Sequence, residues 1–370
     1  MQPNSPRPYD PLSWRAIAGG ILVACCAWLA TRALWHAERA IIADGQFGYV
    51  PDPAGTQQFL AQLEKPTFRQ AAAEVIAGAR QKDTYLYRAA DKAHRAVYGK
   101  SFGPWNQGAA GTCVSFGWGM GAYIGQSIEW QTGEQERPPL LVATEPIYGG
   151  SRTAARMPPV RLAGYSDGSY GAAAARWVSG LKNGRGGILY REKYGNVDLS
   201  TYSIPLSREW GNSGVPDALA VLANDHTARA VALIETWEGL CASLESGYPV
   251  PICSNVGFAA TTTRDADGFL PRGGQWNHCM VAVSVKYAKN SGANGEPAMK
   301  HPRDGVLIMN SWGATWCGGG KHPADQPDGS FWITRQDSEA IIRQGDSFSI
   351  GGATGFQYRD LHNGNWMMAL

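Results

Sequence analysis

The sequence predicts an α+β fold, helices ahead of strands, on three observations. After a glycine-bearing loop at 108–111, Phe116, Met120, Tyr123, Ile124 and Ile128 recur at helical spacing. Residues 277–283 and 305–313 then read as strand-like runs, and Phe331-Trp332-Ile333 as a further strand. Ahead of both, sixteen uncharged residues, Ala16 through Thr31, lie between Arg15 and Arg32 and read as a membrane segment preceding the folded part.

At 370 residues the chain is long enough for one large or two modest domains with a buried core. Charged residues make up 17% against 44% hydrophobic, which argues against a disordered, charge-solvated chain. A net charge of +2 supplies no basic field for a phosphate backbone, so nucleic acid is not an expected partner. Seven cysteines without paired C-x-x-C spacing argue against a zinc ribbon, and their odd number leaves at least one thiol free or intermolecular.

As a helix, the uncharged run spans roughly 24 Å at ~1.5 Å per residue, short of the ~30 Å hydrocarbon core. Extension to Trp14 and Trp35 puts a tryptophan at each interface and lets Arg32 snorkel. Residues 1–13 then form a polar tail and 14–35 a transmembrane or signal-anchor segment. Arg7 and Arg15 balance Arg32 and Arg39, so loop charge leaves orientation open. A charged tail followed by an apolar run favours an exported bulk, periplasmic or extracellular. Leu22-Val23-Ala24-Cys25 also resembles a bacterial lipobox, with Cys25 as a lipidated terminus, yet the apolar run continues past Cys26 to Leu34.

Residues 36–99 are polar, alanine-rich and helix-favouring, with a loop at Pro51, Pro53 and Gly55. Thr67-Phe68-Arg69-Gln70 after Pro66 reads as a capping box opening a helix to about Ala79. A second helix is expected from Asp83 to Tyr98, ended by Gly99. A helical connector or a prosegment both fit this stretch: an inhibitory segment, a stalk, or packing for the core, of which packing is the plainest.

The chemistry is concentrated in three places. Asn106-Gln107-Gly108-Ala109-Ala110-Gly111-Thr112-Cys113 sets Cys113 at the first turn of a helix, where the macrodipole and unpaired N–H groups stabilise a thiolate and lower its pKa. Asn277-His278 opens one strand, and Asn310-Ser311-Trp312-Gly313 closes another. A thiol nucleophile needs a base, and the base needs an orienting acceptor; Cys113, His278 and Asn310 can fill these roles. A small buried Cys113, a satisfied core His278 and a turn Asn310 are the bland alternatives.

These motifs resemble those of the papain-like cysteine peptidases, in the same chain order. The resemblance rests on Asn106-Gln107-Gly108-x-x-Gly111-x-Cys113, on Asn277-His278, and on Asn310-Ser311-Trp312-Gly313-x-x-Trp316. It continues through Asp167-Gly168-Ser169-Tyr170, similar to the loop bordering the substrate cleft, through Gly186-Gly187-Ile188, and through the Trp237 to Val250 stretch. About residues 100 to 360 are covered. The resemblance implies a two-lobed domain over 100–370, an α-rich lobe at about 100–210 and a β-rich lobe at about 211–370. It implies Cys113 as nucleophile, His278 as general base and acid, Asn310 orienting the imidazole, and Trp312 shielding that bond. Gln107 and the Cys113 N–H would form the oxyanion hole, with Gly168, Ser169 and Asn277 lining the substrate cleft. The implied activity is peptide-bond hydrolysis through an acyl-enzyme, on a peptide or protein substrate, with no cofactor and no metal.

The departures are Ala110 where the family often has a cysteine, Val114 where an aromatic is usual, and two polar insertions, Ala288 to Asp304 (read as a hairpin) and Gly318 to Gly329. His301 and His322 in these insertions read as solvated loop residues. Pairs Cys241–Cys253 and Cys279–Cys317 are conceivable as disulfides in an exported domain, beside the alternative of free thiols. Gly117-Trp118-Gly119-Met120-Gly121 reads as close helix packing, since it lacks the strand and lysine of a phosphate loop. Two further functions compete with peptide hydrolysis: a non-catalytic binding or structural protein of the same fold, and a cysteine acyltransferase or amidase.

Overall fold

The computed structural model describes residues 47–156, 167–259, 263–293, 295–352 and 354–363. The apolar segment 14–35, with Cys25, lies outside them, and among the described residues no helix is long and apolar enough to cross a membrane.

A helix not expected from the sequence, Pro53–Leu60, forms where Pro51, Pro53 and Gly55 read as a loop, and the next two expected helices form but are trimmed by tertiary contacts. Thr67 and Gln70 form the expected capping box, but the helix it opens breaks at Ala72, giving Phe68–Ala71 and Ala73–Gly78. Pro66 accepts a hydrogen bond from Leu233 N at 2.8 Å, and the Phe68 ring packs 5.0 Å from that of Phe356. This docking fixes the first turn and overrides the helix propensity of three consecutive alanines. The second helix runs Leu86–Tyr98 and ends at Gly99, whose φ of 68° is the left-handed cap that glycine suits. Its expected first turn is instead a strand: Thr84 and Tyr85 pair antiparallel with Val285 and Ser284. The stretch before residue 100 therefore supplies an edge strand to the central sheet. Arg88, on the following helix, ties it further to Asp325 and Glu296, both at 2.7 Å.

The helix Cys113–Thr132 is apolar on nearly every side and correspondingly buried. Its glycines allow the closeness this demands, as the sequence suggested. A Cβ at Gly117 would lie 2.9 Å from the Met280 carbonyl oxygen, and one at Gly121 2.9 Å from Ile350 Cδ1. The strand half is an antiparallel sheet around the fifteen-residue strand Arg272–Lys286. That strand pairs with Val250–Phe258 and with Gly305–Met309, which in turn pairs with Ser330–Thr334. A separate ribbon joins Ala230–Leu233 to Phe348–Gly351. One apolar core runs continuously from the helices into the sheet.

The insertion at 288–304 is not a hairpin. It begins with a 3-10 turn, Ala288–Asn290, and then follows an irregular path held by Asp267, whose carboxylate accepts from Lys300 N at 2.6 Å and His301 N at 2.7 Å. His322 is not solvated either; it is buried, with Nε2 2.9 Å from Pro297 O. At the centre lies Lys286, 1% exposed, its Nζ donating to Asp267 O at 3.0 Å and sitting 4.2 Å above the Trp332 ring. Burial pulls its ammonium down to about 7, against the opposing pull of Asp267 and Asp83.

In the unfolded chain this lysine keeps its proton to pH ~10.4. Between pH 7 and 10 the unfolded state therefore binds more protons, and stability rises with pH. Denaturant titrations of the wild type and Lys286→Met should show the difference moving toward the wild type across that window, by up to about 1.4 kcal/mol per pH unit. A difference that stays constant with pH would remove the buried lysine as the titrating group.

Candidate active site

Cys113 is the first residue of its helix and is fully buried. The loop before it is fastened to the loop after Met309: Asn106 and Trp312 form an antiparallel bridge, and Gln107 N donates to Ser311 O at 2.8 Å. The Gln107 amide is held at both ends. Its Nε2 donates to Ala110 O at 2.7 Å, and its Oε1 accepts from Ser311 Oγ at 2.5 Å. Such fixing positions an amide donor beside the start of the helix. Among the described residues no group of three or more His, Cys, Asp or Glu could hold a metal ion.

His278 and Asn310 come together from the facing strands. His278 Nε2 lies 2.7 Å from Asn310 Oδ1, and the same oxygen accepts from Ser311 N at 2.7 Å. A backbone N–H can only donate, which identifies that Asn310 atom as the oxygen, so His278 Nε2 must carry the proton. The neutral imidazole then has its lone pair on Nδ1. The Trp312 ring lies 4.6 Å from the imidazole, tilted by 36°, and His278 and Asn310 are both buried. Trp276, Trp316 and Phe331 extend this aromatic wall. The strand that carries His278 packs directly on the Cys113 helix: a Cβ at Gly117 would lie 2.9 Å from Met280 O and 3.1 Å from Cys279 Sγ.

The groove between them is occupied by the chain itself. Tyr49 N donates to Asn277 O at 3.0 Å, Ser169 N to Gly48 O at 2.8 Å, and Val50 N to Ser169 O at 2.8 Å. Residues 47–50 thus lie as an extended strand, parallel to Ser169. Phe47 abuts His278 edge-on, with ring centroids 5.8 Å apart, and Trp312 at 5.6 Å. Gly48 has to be glycine: a Cβ there would meet Gly111 O at 1.9 Å. Gly168, at φ 118°, likewise leaves room for Val50 and the Gly48 carbonyl. The groove loop is braced from behind by Tyr148, Ser151 and Arg152. Tyr49 shares a pocket with Asp346, whose carboxylate accepts from Gly171 N and Ala172 N at 2.7 Å each.

This cover reverses one expectation. The thiol of Cys113 is not lowered; burial pushes it up to about 12, and Cys279 adds to the rise. Backbone N–H bonds from Cys279, Gly48 and Val114 oppose the shift without overcoming it. The helix terminus does stabilise negative charge, but a sulfur with no water pays more in desolvation than these donors return. The disulfide expectations also shift, because all five described cysteines are free. Cys253 stands opposite Cys279 on the paired strands, which is not one of the anticipated pairs.

The structure gathers the eight residues singled out from sequence around residues 47–50: Gly168, Ser169, Asn277, His278 and Trp312 contact that segment, while Gln107, Cys113 and Asn310 lie buried beside it. The sequence reading missed the cover, although Gly48 between two aromatics is a local sign of close backbone approach. It also missed Ser311 as the clamp on Gln107, and Asp346, which lies far along the chain with nothing nearby to mark it.

No family model and no curated protein matches the chain. Solved structures do. Xylellain, a cysteine protease from Xylella fastidiosa, superposes with a TM-score of 0.51 at 17% identity, covering 83% of this chain and 96% of its own. ProCathepsin B S9 from Trypanosoma congolense gives a TM-score of 0.50 at 12% identity, covering 84% of this chain and 87% of its own. At these identities the likeness is one of fold: the chain has the α+β papain-like architecture.

Unseating the cover should return water to the sulfur. Gly48→Ala is expected to raise the rate of Cys113 alkylation by iodoacetamide at pH 7.5 at least tenfold, and to move the midpoint of its pH profile well below 12. Unchanged alkylation would show that residues 47–50 do not control access to the thiol.

Proposed function

We propose that the chain is a membrane-tethered cysteine endopeptidase, latent while residues 47–50 fill its groove, with its catalytic domain on the exported side. The observation that carries this reading is the cover itself. A peptide segment is hydrogen-bonded through its backbone to Asn277 and Ser169, directly above Cys113 and beside the His278–Asn310 pair. A groove that holds one extended peptide by main-chain bonds suits another.

With the groove vacated and hydrated, the Cys113 proton passes to His278 Nδ1 and the thiolate attacks the substrate carbonyl. The developing oxyanion is received by Gln107 Nε2 and the Cys113 N–H, donors that are already fixed and need no reorganisation. Asn310 keeps Nε2 protonated and the ring in place, while Trp312 keeps water from that bond. His278 then protonates the leaving amine and activates water to hydrolyse the acyl-enzyme. The pocket that takes Tyr49 ends on Asp346, which burial raises to about 7. It suits a substrate side chain that ends in a hydroxyl or a cation. The span 14–35 supplies the tether, and the start of the cover, residue 47, follows it by only a dozen residues.

Full-length protein and its Gly48→Ala variant, incubated with a peptide library, test this. Cleavage is expected from both, faster from the variant, and none from Cys113→Ala, which should also lose labelling by a thiol-directed epoxide. Gln107→Ala should lower turnover by about 10²–10³. Cleavage by Cys113→Ala at the wild-type rate would sink the mechanism. Peptide binding to the uncovered groove without any acyl-enzyme would identify a non-catalytic binding protein instead.

A further inference from the structure

The cover ends beside a small cavity of about 60 Å³, lined by Tyr49, Asp52, Thr56, Gln57, Gln344 and Asp346. That volume is room for an ion and a few waters. Two carboxylates border it from inside the fold: Asp52 is 2% exposed and Asp346 3%. Asp52 Oδ1 caps the helix Pro53–Leu60 by accepting from Gly55 N at 2.8 Å, but its Oδ2 is buried with no hydrogen-bond partner. Asp346 accepts from Gly171 N, from Ala172 N and, at 3.4 Å, from Thr56 Oγ1. A carboxylate has about four acceptor sites, so lone pairs remain on both groups. Buried charges are paired with an opposite charge or coordinate a metal. No Lys, Arg or His lines this cavity.

We infer that a calcium-sized divalent cation binds here, bridging Asp52 Oδ2 and the Asp346 carboxylate and pinning the cover at its C-terminal end. Two carboxylates match the charge of one such ion. The remaining lining side chains of Thr56, Gln57 and Gln344 carry neutral oxygens, and oxygen is the ligand of hard cations. Calcium accepts an irregular mixture of these ligands and water, whereas magnesium demands a near-ideal octahedron. Zinc and copper favour imidazole and thiolate, and neither group lines the cavity. The two carboxylates come from distant parts of the chain. Asp52 follows the cover by two residues, and Asp346 precedes the strand Phe348–Gly351. Asp346 also holds the start of the helix Gly171–Val178, just beyond Ser169, with which the cover pairs. A bridging ion therefore ties the foot of the cover to the wall of the groove. Tyr49 lines the same cavity, so the cover cannot withdraw without opening the ion to water.

The test is calorimetric titration of the EGTA-stripped, full-length chain with calcium chloride at pH 8, above the raised carboxyl of Asp346. One calcium per chain is expected, with a Kd of about 10⁻⁴–10⁻³ M for so few charged ligands. Asp52→Asn keeps the helix cap and removes the charge, and should weaken binding at least ~10-fold. At ten times Kd, mass action favours the seated cover by a factor of about ten. Iodoacetamide should then alkylate Cys113 more slowly in calcium than in EGTA by about that factor. In Asp52→Asn the two rates should be equal at the same calcium concentration. A wild type that binds no calcium at ten times the expected Kd overturns the site, and leaves a water on Asp52. An Asp52→Asn chain that binds as tightly as the wild type overturns it too, by placing the ion elsewhere. Equal alkylation of the wild type in calcium and in EGTA overturns the pin. Should Asp52→Asn fail to fold, that wild-type ratio decides alone. Neither readout involves turnover: a chain that cleaves no peptide leaves the cation site standing, and a chain that binds no calcium leaves the peptidase reading standing.

Discussion

The site depends on one contact: the helix that begins at Cys113 lies against the strand that carries His278 with no space for a Cβ between them. At Gly117 the strand's Met280 carbonyl comes within 2.9 Å of where that Cβ would be. Any larger residue there would push helix and strand apart and shift Cys113 relative to the strand that carries His278. Close packing of this kind transmits strain rather than absorbing it, so the spacing of the reacting groups is set by the core. The other positions follow. Asn310 is delivered by the next strand in register, and Gln107 by the bridge from Asn106 to Trp312.

The same closeness makes the environment of the sulfur adjustable. Cys113 starts a helix, and backbone N–H groups near it favour a thiolate, yet burial pushes its thiol up to about 12 while the cover is in place. Desolvation outweighs them because no water reaches the sulfur. A few residues seated in or withdrawn from the groove therefore change the chemistry of the thiol without moving the residues around it. The cover is held by backbone bonds, by the rings of Phe47 and Tyr49, and by the absence of a side chain at Gly48. The helices that follow it are a different matter, since Thr84 and Tyr85 belong to the central sheet and Arg88 is locked to Asp325. A segment seated in the groove and a segment built into the sheet are thus adjacent in sequence.

Much of the site was legible because its signals are local. A glycine loop followed by helical periodicity placed Cys113 at a helix start, and two strand-like runs, one opening at His278 and one closing at Asn310, placed the base and its partner. Glycine at 99 ended a helix where a left-handed residue was needed. The misses share a cause. The helix expected through Ala79 broke because Leu233 and Phe356 hold its first turn. The start of the next helix became strand because an edge of the sheet was free to pair with it. His322, polar and flanked by prolines and glycines, reads as loop, yet distant residues bury it.

The sequence by itself determined which chemical groups are present, the order in which they occur, and the turns and caps that aim them, because these follow from neighbours a few positions away. Only the tertiary structure decided that the groove is filled, that Cys113 is protonated, and that Cys253 rather than Cys241 or Cys317 stands beside Cys279. Each depends on segments brought together from far along the chain: residues 47–50 on Cys113, and one strand on the next. Solvation and strand pairing are properties of that assembly, and no window of sequence contains them.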